Sequence, residues 1–216
     1  MIAIDIETLG KLDETPLPPI TCICIYNSLT QQKHSLRFWK LSPEEVSRNL
    51  KIVMDELDNA KFIAGFNVVL FDLEFIRLTF QIPNAQMTSW VLKCIDPFMC
   101  CKYILKITCP LKAMLANNKL SSKTGCGADA ITLAKEEKWE ELLDYCMMDT
   151  TLTYDLCALD WIVFSPMLKG KWDQMSSKWI FQLRTPAHNQ GSPDNHQCLN
   201  MQTQLPQIIV DEFTYE

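Results

Sequence analysis

Ile2-Ala3-Ile4-Asp5-Ile6-Glu7-Thr8-Leu9-Gly10 is the stretch on which the reading of this chain turns. Side chains alternate between the two faces of an extended strand, so Ile2, Ile4 and Ile6 form one apolar face while Asp5 and Glu7 stand side by side on the other. Two neighbouring carboxylates at the end of an apolar strand repel each other and lose hydration, and a divalent cation is the usual remedy. The pattern recurs at Asp72-Leu73-Glu74. That copy lies in a predicted helix, where two residues span about 200° and point to opposite faces. Only the first pair is placed to chelate.

Outward from this strand at residues 2 to 6, residues 20 to 27, 33 to 39 and 61 to 66 read as further short strands, and the first three of these four are separated by turn material such as Pro16-Leu17-Pro18-Pro19 and Asn27 to Gln32. Ser42-Pro43-Glu44-Glu45 combines a cap, a proline at the first helical position and a glutamate three residues after the serine, which opens a helix to about Leu57. A second helix is predicted over Leu70 to Phe80. Residues 90 to 95 supply a fifth strand, although Trp90-Val91-Leu92-Lys93 reads equally as helix. Helices are then predicted at Leu111 to Asn117, Ala128 to Lys135 and Trp139 to about Val163, giving β-β-β-α-β-α-β followed by helices. Residues 166 to 216 carry ten Asn or Gln and four prolines without a helical period, so the expected division is a domain at 1–165 and an irregular extension at 166–216. The apolar Trp172, Trp179, Ile180 and Phe181 are expected to pack back on the core.

At 216 residues the chain has room for one core and an appendage. It contains no apolar run of eighteen residues, so membrane insertion is not expected. Its first residues have neither the basic start nor the unbroken apolar stretch of a secretory signal, and the expected location is inside the cell, in cytoplasm or nucleus. The ten cysteines sit mainly in apolar segments such as Thr21-Cys22-Ile23-Cys24-Ile25 and read as buried thiols. No C-x-x-C pair exists and the three histidines are not at ligand spacing, which excludes a structural zinc site. A net charge of −6 argues against a high-affinity duplex binder, but two divalent cations on the acids would leave −2 and twenty Lys and Arg for local contacts.

Two further segments carry candidate chemistry. Asn67-Val68-Val69-Leu70-Phe71-Asp72 lies where the fourth strand passes into a helix, so Asp72 is either aimed at the top of the sheet or a helix-start charge favoured by the macrodipole. Tyr145-Cys146-Met147-Met148-Asp149 places Tyr145 and Asp149 four residues apart on one helical face. Taken alone, that pair also fits the edge of a core stripe.

Taken together, Asp5-x-Glu7 followed by Thr8 and Gly10, Asn67-x3-Phe71-Asp72 and Tyr145-x3-Asp149 resemble the three motifs of the DEDD superfamily of 3′ to 5′ exonucleases, in its tyrosine-type branch. Chance occurrence of all three in this order is on the order of one in several hundred. The likeness covers roughly residues 1 to 160 and includes Ile95-Asp96-Pro97 and the run Lys123 to Ala128. The histidine-type branch is excluded, because position 144 is Asp and no histidine lies between His34 and His188. The resemblance implies an α/β, ribonuclease-H-like mixed five-stranded sheet, its first three strands antiparallel, flanked by helices. It further implies two Mg²⁺ or Mn²⁺ ions, with Asp5 shared between them, Glu7 and Asp149 completing the first site, Asp72 acting on the second through water, and Tyr145 orienting the attacking water. Thr8, Leu9 and Gly10 are expected to grip the 3′-terminal nucleotide through backbone N–H groups and an apolar wedge. Asn67 and Phe71 are expected to touch the same nucleotide, and Lys123 its phosphate. The partner implied is nucleic acid with a free, single-stranded 3′ end. A catalytically silent nucleic-acid-binding or scaffold module, and an endonuclease or resolvase on the same fold, are the rival readings. Nothing in the motifs separates DNA from RNA.

Overall fold

The computed structural model describes residues 1–104, 108–121 and 127–159, together with short strands at 161–164, 167–168, 171–172, 179–182 and 198–200. Strand β1 (Ile2–Thr8) pairs antiparallel with β2 (Ile20–Asn27), which pairs antiparallel with β3 (Gln32–Arg37). On its other edge β1 runs parallel to the short β4 (Ile63–Ala64), and β4 to β5 (Cys94–Ile95). The order β3-β2-β1-β4-β5 is the mixed five-stranded sheet expected from the sequence.

The register of β1 against β2 sorts the two faces. Ile4 faces Ile25 and Ile6 faces Ile23, whereas Asp5 faces Cys24 and Glu7 faces Cys22. The isoleucine face is covered by α1 (Pro43–Asn59) and α2 (Asp72–Phe80), whose Val53, Leu57, Leu73, Phe75 and Ile76 are fully buried with it. Each such side chain contributes roughly 1.5–3 kcal/mol by leaving water. The opposite face receives α6 (Gly127–Lys135) and α7 (Trp139–Ala158), through Ala130, Ala134, Leu142, Cys146 and Met147 against Cys22 and Cys24. Small side chains on both sides let α7 lie close to β1. The acids and α7 therefore share one face.

Helix α1 opens with the capping box read from the sequence: Glu45 N–H donates to Ser42 Oγ and Ser42 N–H to Glu45 Oε2. The fifth strand is shorter than predicted. Residues 84–91 form a helix, α3 (Asn84–Val91), and only Cys94 and Ile95 are strand. The buried Trp90 decides this, since its indole N–H donates to Asp58 Oδ1 at 2.7 Å, a long-range contact that no local pattern announces. After β5 the chain forms α4 (Pro97–Met99), a π-helical turn at Cys100–Ile104, and α5 (Leu111–Asn117).

Helix α7 ends at Ala158 rather than near Val163, as Leu159 turns to extended geometry. The β-branched and aromatic run that follows is strand β6 (Trp161–Phe164) instead of helix. It pairs antiparallel with β9 (Trp179–Gln182), to which β10 (Cys198–Asn200) adds in parallel, and β7 (Met167–Leu168) and β8 (Lys171–Trp172) form a small hairpin. Thus β6 and β9 stand on either side of residue 165, where the sequence suggested a boundary. Lys123 and the Gly125-Cys126 break lie outside the described residues. Among the described residues no helix is long and apolar enough to cross a membrane.

Candidate metal centre and cleft

Asp5 and Glu7 leave the same face of β1, and α7 brings Asp149 over them. One carboxylate oxygen from each of the three can be chosen so that all lie within 4.8 Å of one another. Cys146, between Tyr145 and Asp149 in sequence, fixes how closely α7 approaches. Its thiol donates toward the Asp5 carbonyl at 3.4 Å and lies 3.6 Å from Asp5 Oδ2. Burial pushes that thiol well above its ordinary pKa, so it stays protonated and able to donate.

Asp72 is held differently. Ile2 N–H donates to the Phe62 carbonyl on the β4 edge, and two-residue periodicity puts the Ile6 N–H on that same edge. By Ile6, however, β4 has ended. The vacant ladder position is taken by Asp72, whose Oδ1 accepts from Ile6 N at 3.0 Å. The side chain is 3% exposed, and its carboxyl is raised well above the aspartate range, first by burial and then by the charge of Asp5. Asp72 thus stands beside the strand between Asp5 and Glu7, outside the set of three.

A second buried carboxylate lies behind it. Asp96, fully enclosed, is pushed up to about 6, first by burial and against four backbone N–H donors that favour its ionised form. In an unfolded chain the same proton would leave near the ordinary value of about 3.9. Between these values the folded chain holds a proton that the unfolded chain has lost. The contribution is therefore full below the unfolded value and disappears as pH rises through about 6, a difference of roughly 3 kcal/mol. Thermal unfolding without metal is expected to show the native chain gaining several degrees relative to Asp96→Asn as pH falls from about 7.5 to about 5. Parallel pH profiles for the two proteins would contradict this.

The acids open onto a cleft of about 440 Å³ lined by Asp5, Glu7, Thr8, Leu9, Gly10 and Phe71 on one side and by Tyr145, Asp149 and one face of α6 on the other. Its size lies within the range of small-molecule sites. Of the site residues predicted from sequence, Asp72 and Asn67 are not among those lining it, and Lys123 lies outside the described residues. The Leu9 N–H donates to the Pro19 carbonyl at 3.1 Å, so Leu9 offers its side chain to the cleft rather than the expected backbone donor. The Thr8 hydroxyl donates to the Gly10 carbonyl at 2.6 Å, and an added Cβ at Gly10 would lie 2.8 Å from the Pro18 ring, besides displacing the Glu14 carboxylate. Five lining residues were missed: Lys11, Glu14, Gly127, Ile131 and Lys135. For the last three a signal existed, because Gly127, Ile131 and Lys135 recur every four residues and so share a helical face.

The donor set fits a hard divalent cation. It is all oxygen, three carboxylates converge from two elements, and no sulfur or imidazole competes among them. No family model matches the chain, and no curated protein is similar to it in sequence. Its fold is similar to the crystal structure of Trypanosoma brucei RNase D, with a TM-score of 0.51 and 16% identity over 72% of this chain and 55% of that one. The chain thus spans about half the length of that structure and shares its α/β fold.

Proposed function

We propose that this chain is a metal-dependent 3′ to 5′ exonuclease of the tyrosine type, which removes nucleoside 5′-monophosphates from the single-stranded 3′ end of DNA or RNA. The observation that carries the proposal is the meeting of Asp5, Glu7 and Asp149 oxygens within 4.8 Å, at the edge of a cleft that Tyr145 also lines. The likeness in fold to a protein named RNase D supports nucleic acid as the substrate.

Asp5, Glu7 and Asp149 would hold divalent ions, Mg²⁺ or Mn²⁺, with Asp72 acting through water. Two such ions supply a nucleophilic water at neutral pH and offset charge on the leaving oxygen. The Tyr145 phenol, one helical turn from Asp149, orients the water by a hydrogen bond; near pKa 10 a phenol is a poor base on its own. Leu9 and Phe71 offer apolar surface to the terminal base, and the Phe71 ring is itself braced by Phe75 at 5.0 Å between centroids. Residues 1–165 are taken as the unit that carries this chemistry.

The test is to incubate 5′-labelled single-stranded DNA and RNA with the protein in Mg²⁺ or EDTA, beside a circular single strand. A ladder shortening from the 3′ end and abolished by EDTA is the expected result; cutting of the circle, or binding without cleavage, would refute the proposal. With an active substrate identified, Phe71→Ala should raise KM roughly tenfold, the scale of one lost base–aromatic stack, with a smaller change in kcat. An unchanged KM would remove Phe71 from the substrate site.

A further inference from the structure

The Gly65–Asp72 segment has a second anchor beneath it. Asn67 N–H donates to Asp96 Oδ1 at 2.9 Å and Val69 N–H to Asp96 Oδ2 at 3.3 Å. The same carboxylate caps α4, accepting from Phe98 and Met99 N–H at 3.0 and 3.2 Å. Asn67 adopts φ = 66°, a left-handed geometry uncommon for a residue with a side chain. The turn continues as Leu73 N–H donates to the Val68 carbonyl and Phe71 N–H to the Asn67 carbonyl, which starts α2 at Asp72. Asp72 Oδ1 then meets the Ile6 N–H between Asp5 and Glu7.

We propose that Asp96 is a positioning residue for the metal centre: by holding the Asn67 and Val69 N–H groups it sets the turn that aims the Asp72 carboxylate at the Ile6 amide. Asp96 is wholly enclosed and does not line the cleft, so it acts only through this turn. A carboxylate suits the task because its two oxygens can accept four N–H donors from two segments at once, whereas a neutral amide has one accepting oxygen and would direct an NH₂ group at the remaining donors. The activity arm of this inference rests on the exonuclease reading; its structural arm does not.

Two variants separate positioning from simple capping. Asp96→Ser keeps a good cap for α4 but is too short to serve Asn67 and Val69 as well. Asp96→Asn keeps the length and puts an NH₂ group in place of one accepting oxygen, the one that serves Val69 if the Oδ1 contacts are kept. The first readout is amide hydrogen exchange in the metal-free protein: Ile6 should exchange roughly tenfold faster or more in either variant, while Ile4, within the paired part of β1, keeps its native rate. The second is Mn²⁺ titration and kinetics, where metal affinity and kcat should each fall roughly 10- to 100-fold with little change in the KM for the oligonucleotide. Native Ile6 exchange with native metal affinity, in a folded variant, would overturn the proposal. Accelerated exchange at Ile6 in a chain whose native form hydrolyses nothing would uphold the positioning role and defeat the exonuclease reading instead. Should Asp96→Asn fail to fold, Asp96→Ser carries the same readouts.

Discussion

Asp5→Asn is expected to lower the rate of 3′-end hydrolysis on the order of 10³-fold or more, about 4 kcal/mol of barrier, while raising the thermal stability of the metal-free protein. Both effects follow from one carboxylate. Asp5 is one of the three acids whose oxygens gather within 4.8 Å, so its charge is part of what would hold a cation there. The same charge raises the pKa of the buried Asp72, which means the folded chain bears a repulsion that the unfolded chain does not. Asparagine relieves that crowding of charge without changing shape, so the unfolding midpoint of the metal-free protein should rise, by on the order of 2 °C. Opposite signs for activity and stability are the signature of an acid kept for function. If Asp5→Asn lost activity and stability together, a structural role for Asp5 would explain the result and the metal centre would lose its main support.

Gly65→Ala should be the most damaging small substitution away from the acids. An added Cβ at this position would lie 2.3 Å from the Val68 Cβ and 2.7 and 2.8 Å from its two methyl carbons. Because the nearest atom is a Cβ, no rotamer change relieves the clash, and the turn leading to Asp72 must shift. Overpacking of this kind costs about 3 kcal/mol, or a fall of roughly 6–12 °C in the unfolding midpoint. Activity should fall as well, since the same turn places Asp72 against Ile6. Differential scanning calorimetry with the 3′-end assay checks both. A midpoint within about 2 °C of the native one would mean that the turn yields at little cost and that Gly65 is not required for close approach.

These predictions rest on unequal amounts of legible sequence. The shared face of Asp5 and Glu7 follows from strand alternation alone, and the start of α1 from the Ser42–Glu45 box, because both depend on residues a few positions apart. The helical turn linking Tyr145 to Asp149 is equally local. The placement of Asp72 is not. It depends on β4 ending two residues into its pairing with β1, which leaves the Ile6 N–H for a side chain 66 positions away. Residues 90–95 read equally as strand or helix for a similar reason, as Trp90 is drawn into the core by Asp58, from the end of α1. The end of α7 was overrun because Trp161–Phe164 is apolar enough to continue a helix and is held as strand only by pairing with residues 179–182. Asp96 was visible as part of a motif, yet its four backbone partners appear only once two loops are brought together.

The negative charge of the chain also reads differently at the site. Lys11 and Lys135 line the same cleft as the three acids, so cationic side chains are present at the site despite an overall −6. The single measurement that bears most directly on the whole reading is the identity of the released product. A single-stranded oligonucleotide incubated with the protein and Mg²⁺ in ¹⁸O-water should yield, from the first time point, nucleoside 5′-monophosphates carrying one ¹⁸O, cut from the 3′ end and absent in EDTA. Internal fragments, nucleoside 3′-phosphates or an intact strand would contradict it.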